Sequence, residues 1–318
     1  MNTLIKPAVE MLVKSSDCGL MIVVNGCQLV RDNTGDPIDL TQVINPFVRS
    51  GKNEFEVLLL LGPANEPNVS KLHFEVRVRE VAAPPGTGAL LTRVVYDGLL
   101  ASAGKATSAS SPPGQLLSAD GYREQRFGDV TVGPLEVDTL PPPFTNNSPA
   151  LRRTIDLPLP LPTWAFFKGD FMPAGWSKAP PTTGVERQMY DGLMKSYQEL
   201  WRALAAKNGD RLRTLFAERS REYDRALFLV PGTTWSQCFD RIRDMWKDGS
   251  GQLASIDDEG QPWLVEARTD RMRTTFLAHG SHASHILRYV TEDNDACTYA
   301  QVLPVWFRRE GSKFIVTR

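Results

Sequence analysis

The sequence predicts a β-sandwich followed by an α+β domain, on the strength of three observations. Residues 71–80, KLHFEVRVRE, alternate apolar and polar side chains, which is the period of a strand with one buried and one wet face. Between Met189 and Leu204 the apolar residues recur three and four apart, which is the period of an amphipathic helix. After residue 251 the apolar period returns to two, so strands are expected again.

The first part, residues 1–157, is predicted to be antiparallel β structure. Asn25-Gly26 lies between GLMIVV and CQLV and predicts a hairpin turn. A strand pair is expected in 127–137 and further strand structure in 151–161, both returning to the first sheet. Residues 101–120 are small and polar and include two adjacent prolines, so we expect a mobile loop there.

Two stretches in this part, VNG and IDLTQVINPFVRSGKNEFEV, resemble the jelly-roll β-sandwich domains of the glycosidase-accessory and lectin type. The resemblance describes a fold and specifies no ligand. Carbohydrate binding is its secondary implication, and the aromatic and carboxylate sets of sugar-binding loops match no positions here.

Residues 158–182 are predicted to be a connector. Prolines alternate with leucine from Pro158 to Pro162 and cannot donate to a strand ladder, so an edge strand or a polyproline-like segment is expected there. Its aromatic side chains have two interpretations. They form a hydrophobic seam that packs the two domains together, or they form an exposed patch that anchors a partner protein, since aromatic residues dominate interface hot spots. The candidate partner-binding residues are Trp164, Phe166, Phe167, Phe171 and Trp176.

The last part, residues 183–318, is predicted to hold three helices and about six strands. Thr183–Glu186 and Thr234–Gln237 fit capping boxes for the first and third helices, and Asn208-Gly209 is expected to end the first. The segment 210–218 predicts a short second helix. Helices followed by a run of strands indicate an α+β layer architecture.

This order of elements resembles the cone-shaped fold of the ketosteroid isomerase and nuclear transport factor superfamily. The resemblance implies a curved antiparallel sheet, three helices packed on it and a pocket between them. Tyr197, Trp201 and Trp263 would line that pocket. The Asp base and oxyanion donors of the isomerase members match no pattern at the candidate positions, so isomerase activity is not implied; these positions are Asp257, Glu266, Asp270 and Tyr190.

The segment FLAHGSHASH holds three of the four histidines, His279, His282 and His285. On a helix His285 would turn away from His279, and on a strand His282 would point to the opposite face. No Cys, Asp or Glu lies inside the segment to complete a tetrahedral metal set. The segment is therefore predicted to be a polar hairpin connection, with a metal site or a pH-responsive rim as the alternatives.

Composition narrows the function classes. The net charge of −1 lacks the basic surplus that a nucleic-acid binder needs. No apolar run approaches the length of about 18 residues that a membrane span requires, so we expect a cytoplasmic protein without a membrane segment. The four cysteines are scattered without zinc spacing, so we expect free buried thiols and no cofactor.

The function predicted from these observations is non-enzymatic protein binding. The chain, and the connector LPLPLPTWAF (157–166) above all, is similar to proteins encoded beside bacterial type VI secretion effectors. That resemblance implies an immunity protein or an adaptor whose partner is a secreted toxin or effector. The alternative is a protein that binds or converts a small molecule in a pocket of the carboxy-terminal cone.

Overall fold

The structure, a computed structural model, describes residues 4–32, 34–60, 69–97, 115–118, 130–139, 149–170, 184–247, 252–253, 264–268, 271–277, 287–293, 296–302, 305 and 307–317. The chain divides into two compact units, Met1–Thr163 and Trp164–Arg318. The described strands form antiparallel sheets in both units, and the described α-helices lie in the second. The predicted order, a strand-rich part followed by a part with helices and strands, is confirmed. The finer domain borders at 157 and 183 stay a prediction.

The first unit contains ten described strands in two five-stranded sheets, ordered β4-β1-β6-β7-β8 and β3-β2-β5-β10-β9. The strands are β1 (Pro7–Ser16), β2 (Gly19–Val24), β3 (Cys27–Asp32), β4 (Ile38–Val43), β5 (Gly51–Leu60), β6 (Lys71–Glu80), β7 (Ala89–Asp97), β8 (Gln115–Ser118), β9 (Thr131–Thr139) and β10 (Pro149–Leu157).

The two sheets contact each other through their apolar faces. Phe55 of β5 and Phe74 of β6 belong to different sheets, and their ring centroids lie 6.5 Å apart. The predicted alternation of β6 holds on this face, where Leu72, Phe74, Val76 and Val78 are buried. Burial of such apolar side chains is the main favourable term in folding.

The opposite face of β6 differs from the fully wet face that the sequence predicts. Glu75 is only 3% exposed, and its carboxylate accepts hydrogen bonds from Nε of Arg77 and Nε of Arg93, both at 2.6 Å. Nε2 of His73 lies 2.8 Å from Oε1 of Glu75. Burial alone would raise the pKa of Glu75, but these hydrogen bonds outweigh it and hold the pKa below its usual range. Ion pairs with Arg77 and Arg93 thus allow the Glu75 carboxylate to be buried on a polar strand face.

The predicted hairpin at Asn25-Gly26 is confirmed, because β2 and β3 pair antiparallel across it and both residues have positive φ, 48° and 86°. A buried amide network holds this turn to the start of β5. Nδ2 of Asn25 donates to Oδ1 of Asn53 at 2.8 Å, and Nδ2 of Asn53 donates to the carbonyls of Arg49 and Gly51. Asn25 and Asn53, which lie in the stretches that resemble jelly-roll domains, therefore stabilise the turn and the start of β5.

The predictions for residues 101–120, 127–137 and 151–161 have mixed outcomes. Strands occur at the last two places, where β9 and β10 join the sheet of β2 and β5, but the described part of 127–137 belongs to one strand and not to a pair. Within the segment predicted to be a mobile loop, Gln115–Ser118 instead forms β8 and pairs with β7. The rest of the 101–120 segment lies outside the described residues.

The second unit has four described α-helices where three helices were predicted. They are α1 (Gly184–Ala205), α2 (Gly209–Leu215), α3 (Ala217–Ala226) and α4 (Thr233–Lys247). The predicted second helix is divided at Phe216, whose backbone (φ −91°, ψ 2°) caps α2 and precedes α3. Asn208, expected to end α1, is the N-cap of α2, because its side chain accepts the N–H of Arg211.

The described strands of this unit form three antiparallel sheets, ordered β11-β14-β15, β12-β13 and β16-β17. The strands are β11 (Gln252–Leu253), β12 (Leu264–Arg268), β13 (Arg271–Leu277), β14 (Arg288–Asp293), β15 (Ala296–Val302), β16 (Phe307–Glu310) and β17 (Lys313–Val316). β13 and β14 were predicted to pair across the histidine segment, but in the part of the chain that the structure describes they belong to different sheets. Two-residue links join β12 to β13 and β14 to β15, and such short links favour hairpins at those places instead.

Candidate functional site

The aromatic side chains predicted to bind a partner are only partly described. Trp164 is 1% exposed and is therefore a core residue, not an accessible anchor. Phe167 is half-buried. The side chain of Phe166 and the whole of Phe171 and Trp176 lie outside the described residues, so their role in partner binding stays a prediction.

Tyr197, predicted to line a pocket, is packed in the core of the second unit. Its hydroxyl donates to the carbonyl of Val305 at 3.1 Å, and its ring meets the ring of Phe307 edge-on with centroids 4.7 Å apart. Burial raises the pKa of Tyr197 above its usual value, so the phenol stays protonated. Trp201 packs partly buried against the same cluster, and Trp263 lies outside the described residues.

The candidates for metal or thiol chemistry give no site in the described part of the chain. His279, His282 and His285 lie outside it, and the residues that the structure does describe contain no group of three His, Cys, Asp or Glu side chains able to hold a metal ion. Cys18 and Cys27 are buried and form no disulfide bond within the described residues. Burial raises the pKa of Cys18 to about 11, which keeps the thiol protonated and a poor nucleophile.

The second unit exposes a short apolar segment between α3 and α4, Leu227–Pro231, which we call the apolar loop. Val230 is 75% exposed and Leu229 is 36% exposed. Among the described residues five large apolar side chains are exposed, and these two are adjacent in the chain. Apolar side chains that stand together on a surface mark interaction sites more often than single ones do.

The backbone around the apolar loop is held by one buried carboxylate. Asp224 accepts the N–H of Gly232 at 2.6 Å on Oδ2 and the N–H of Thr234 at 2.8 Å on Oδ1. These amides lie at the start of α4, where a negative charge is stabilised by the unpaired N–H groups and the helix dipole. The predicted capping box of Thr234 and Gln237 is therefore wrong. α4 begins at Thr233, and Asp224 of the preceding helix covers its amides.

Two further hydrogen bonds close the apolar loop, and one residue in it is strained. The N–H of Leu229 donates to the carbonyl of Asp224 at 2.8 Å, and the hydroxyl of Thr233 donates to the carbonyl of Val230 at 2.7 Å. Phe228 has a φ of 56°, a left-handed conformation that costs a residue other than glycine about 1 to 2 kcal/mol. Strain of this kind persists only where the surroundings fix the backbone, and it concentrates at functional sites.

A pair of cations lies on the helix that leads into the apolar loop. Arg221 and Arg225 are exposed and one turn apart on α3, so they share a helix face. Neither guanidinium forms an ion pair with a described residue. The apolar loop is thus bordered by positive charge.

Sequence reasoning missed this surface, although a signal was present. The run LFLV followed by Pro231-Gly232 places four apolar residues at a turn, where a helix has ended and the next has not begun.

Comparison with protein-family models, with curated proteins and with solved structures finds no match to this chain. Within the described ranges, no helix is both long enough and apolar enough to cross a membrane.

Proposed function

We propose that this is a non-enzymatic protein-binding protein that contacts its partner through the apolar loop. One observation carries the proposal: Val230 and Leu229 are exposed on a backbone that Asp224 fixes. Burying a valine or leucine side chain contributes about 1.5 to 3 kcal/mol. A loop that is already ordered loses little conformational entropy on binding, so most of this free energy favours the complex.

The surroundings of the apolar loop favour a particular kind of partner. Arg221 and Arg225 would attract carboxylates at the rim of an apolar recess, which speeds association and fixes orientation. A bacterial toxin or effector bound by an immunity protein or adaptor is the partner class that we propose, and it comes from the sequence of the connector. A cytoplasmic location belongs to the same proposal.

We also propose a finer architecture, a β-sandwich followed by a cone of helices on a curved sheet. The contact between Phe55 and Phe74 across the two sheets of the first unit supports the sandwich. In the second unit, a Cβ added at Gly192 of α1 would lie 3.2 Å from Phe314, so α1 packs closely on the β16–β17 hairpin. This close helix-on-hairpin packing supports the cone.

The test measures binding to the purified products of the genes neighbouring this one. We expect one of them to bind in calorimetry and Val230→Asp to weaken that binding tenfold or more, since tenfold is about 1.4 kcal/mol. Val69→Asp is the matched control, because Val69 is also an exposed valine, at 43%, and lies in the first unit. Absence of any binding partner among these proteins, or an equal effect of both variants, would contradict the proposal.

A further inference from the structure

A second surface with a different chemistry lies at the edge of a sheet in the first unit. β4 is the terminal strand of the order β4-β1-β6-β7-β8, so among the described strands only β1 pairs with it. Its six residues keep an unbroken register with β1 from Ile38 to Val43. Asp39 and Thr41 are exposed and the other four are half-buried. An open, regular edge of this kind is a template for pairing with another strand.

The other three sheet edges in the described part of the first unit carry features that discourage pairing. β3 contains an extra residue at Leu29, where its register with β2 shifts, and an exposed Arg31. β9 is irregular at Gly133-Pro134, and proline offers no N–H. β8 has only four residues. Bulges, prolines, charges and short length are the usual protections of an edge. β4 has no proline, glycine or bulge, and its one charged residue, Asp39, forms an ion pair with Lys14 of β1.

The direction of the amides in β4 follows from one hydrogen bond. The N–H of Ile44, directly after β4, donates to the carbonyl of Val9 in β1 at 2.8 Å. Because successive residues of an antiparallel strand point their N–H groups to alternate sides, Asp39, Thr41 and Val43 direct theirs away from β1. The open edge therefore presents three donors, with the carbonyls of the same residues as acceptors.

We propose that β4 pairs antiparallel with β4 of a second copy of this chain, joining two sheets across a two-fold axis. The sequence of β4 is self-complementary in an antiparallel pair. With the axis at Leu40, the two Leu40 side chains meet, Asp39 lies opposite Thr41 and Ile38 lies opposite Gln42. No like charges face each other, and Asp39 is already neutralised by Nζ of Lys14 at 2.9 Å.

The same pairing buries apolar surface that one copy leaves half-covered. Ile38 and Leu40 are half-buried at the open edge. In the proposed pairing each Leu40 lies against Leu40 of the other copy, and each Ile38 lies opposite Gln42 and diagonal to that Leu40. A two-fold interface of this type uses the same patch on both copies and therefore stops at a dimer. This proposal does not depend on the apolar loop, which lies in the other unit.

Sedimentation equilibrium of the full chain between about 1 µM and about 1 mM, a range that spans tight to weak association, tests the proposal. We expect wild-type protein to dimerise and Thr41→Pro to shift the dissociation constant upward tenfold or more. The proline removes an outward N–H and leaves the ladder with β1 intact. Thr41→Val keeps the N–H and is the matched control, expected to dimerise like wild type. A monomer throughout, or a Thr41→Pro dimer as stable as wild type, would overturn the proposal.

Hydrogen exchange distinguishes pairing through β4 from dimerisation through another surface. Because it is measured on wild-type protein, it also tests the proposal if Thr41→Pro folds poorly. On wild-type protein at low and high concentration, we expect exchange in the 38–43 segment to slow at least tenfold as dimer forms. If exchange slowed only in other segments, the dimer interface would lie elsewhere and the proposal would be contradicted. Loss of partner binding in Val230→Asp leaves this result unchanged, so the two proposals fail independently.

Discussion

Removing the carboxylate of Asp224 tests whether it fixes the apolar loop. This side chain is buried and accepts the N–H groups of Gly232 and Thr234. Losing an N-cap costs about 1 kcal/mol. A hydrogen bond to a charged group contributes about 1.5 kcal/mol or more, and two amides lose this partner together. The N-cap estimate and the hydrogen-bond estimates partly count the same contacts, so their sum is an upper value. We therefore expect Asp224→Ala to lower the free energy of unfolding of the second unit by about 3 kcal/mol.

Urea denaturation followed by tryptophan fluorescence measures this loss. All seven tryptophans lie at or beyond Trp164, so the signal reports on the second unit alone. Asp240→Ala is the control, because Asp240 is an exposed aspartate on the same helix as Thr234, and its change is expected to stay below about 0.5 kcal/mol. A loss below about 1 kcal/mol for Asp224→Ala, or equal losses in both variants, would refute the role given to the carboxylate.

Three other predictions concern stability. The pKa of Glu75 is lower in the folded than in the unfolded protein, so the ionised carboxylate stabilises the fold. This stabilisation is complete above about pH 4.3, the pKa in the unfolded chain, and is lost as the pH falls through the pKa in the folded protein. Glu75→Gln should abolish this loss in an acid titration followed by circular dichroism. Gly209→Ala would place a Cβ 2.9 Å from Cζ of Phe239 and should cost about 1 to 3 kcal/mol by fluorescence, with Phe239→Leu restoring part of it. Asn53→Ala removes three hydrogen bonds between the Asn53 side chain and part-buried backbone groups and should cost about 3 kcal/mol by circular dichroism, whereas a loss under about 1 kcal/mol would contradict the network.

Local patterns predicted the elements that depend on local physics. The alternation of β6 and the Asn25-Gly26 turn are decided by neighbouring residues, and both predictions are confirmed. The same is true of the apolar stripe of α1, whose Leu193, Leu200 and Leu204 are buried. Each of these depends on a period or a turn preference that a short window contains.

The predictions that failed depend on partners distant in sequence or in space. The amides at the start of α4 are covered by Asp224, which precedes them by eight and ten residues, beyond the reach of a capping-box rule. Glu75 is buried on a face that its own strand pattern marks as wet, because Arg93 on β7 and Arg77 neutralise it. The apolar loop was missed because a hydrophobic run between helices does not reveal from sequence whether it points inward or outward.

The hydrogen bonds of Asp224 would couple the proposed partner binding to the integrity of the helix pair. The carboxylate belongs to α3 and the amides that it holds lie at the start of α4, so local separation of the two helices would also disrupt the apolar loop. By mass action, a ligand that binds only the closed form raises the melting temperature of the unit that carries it. A partner bound at the apolar loop would therefore protect the tryptophan-bearing unit of the chain against heat.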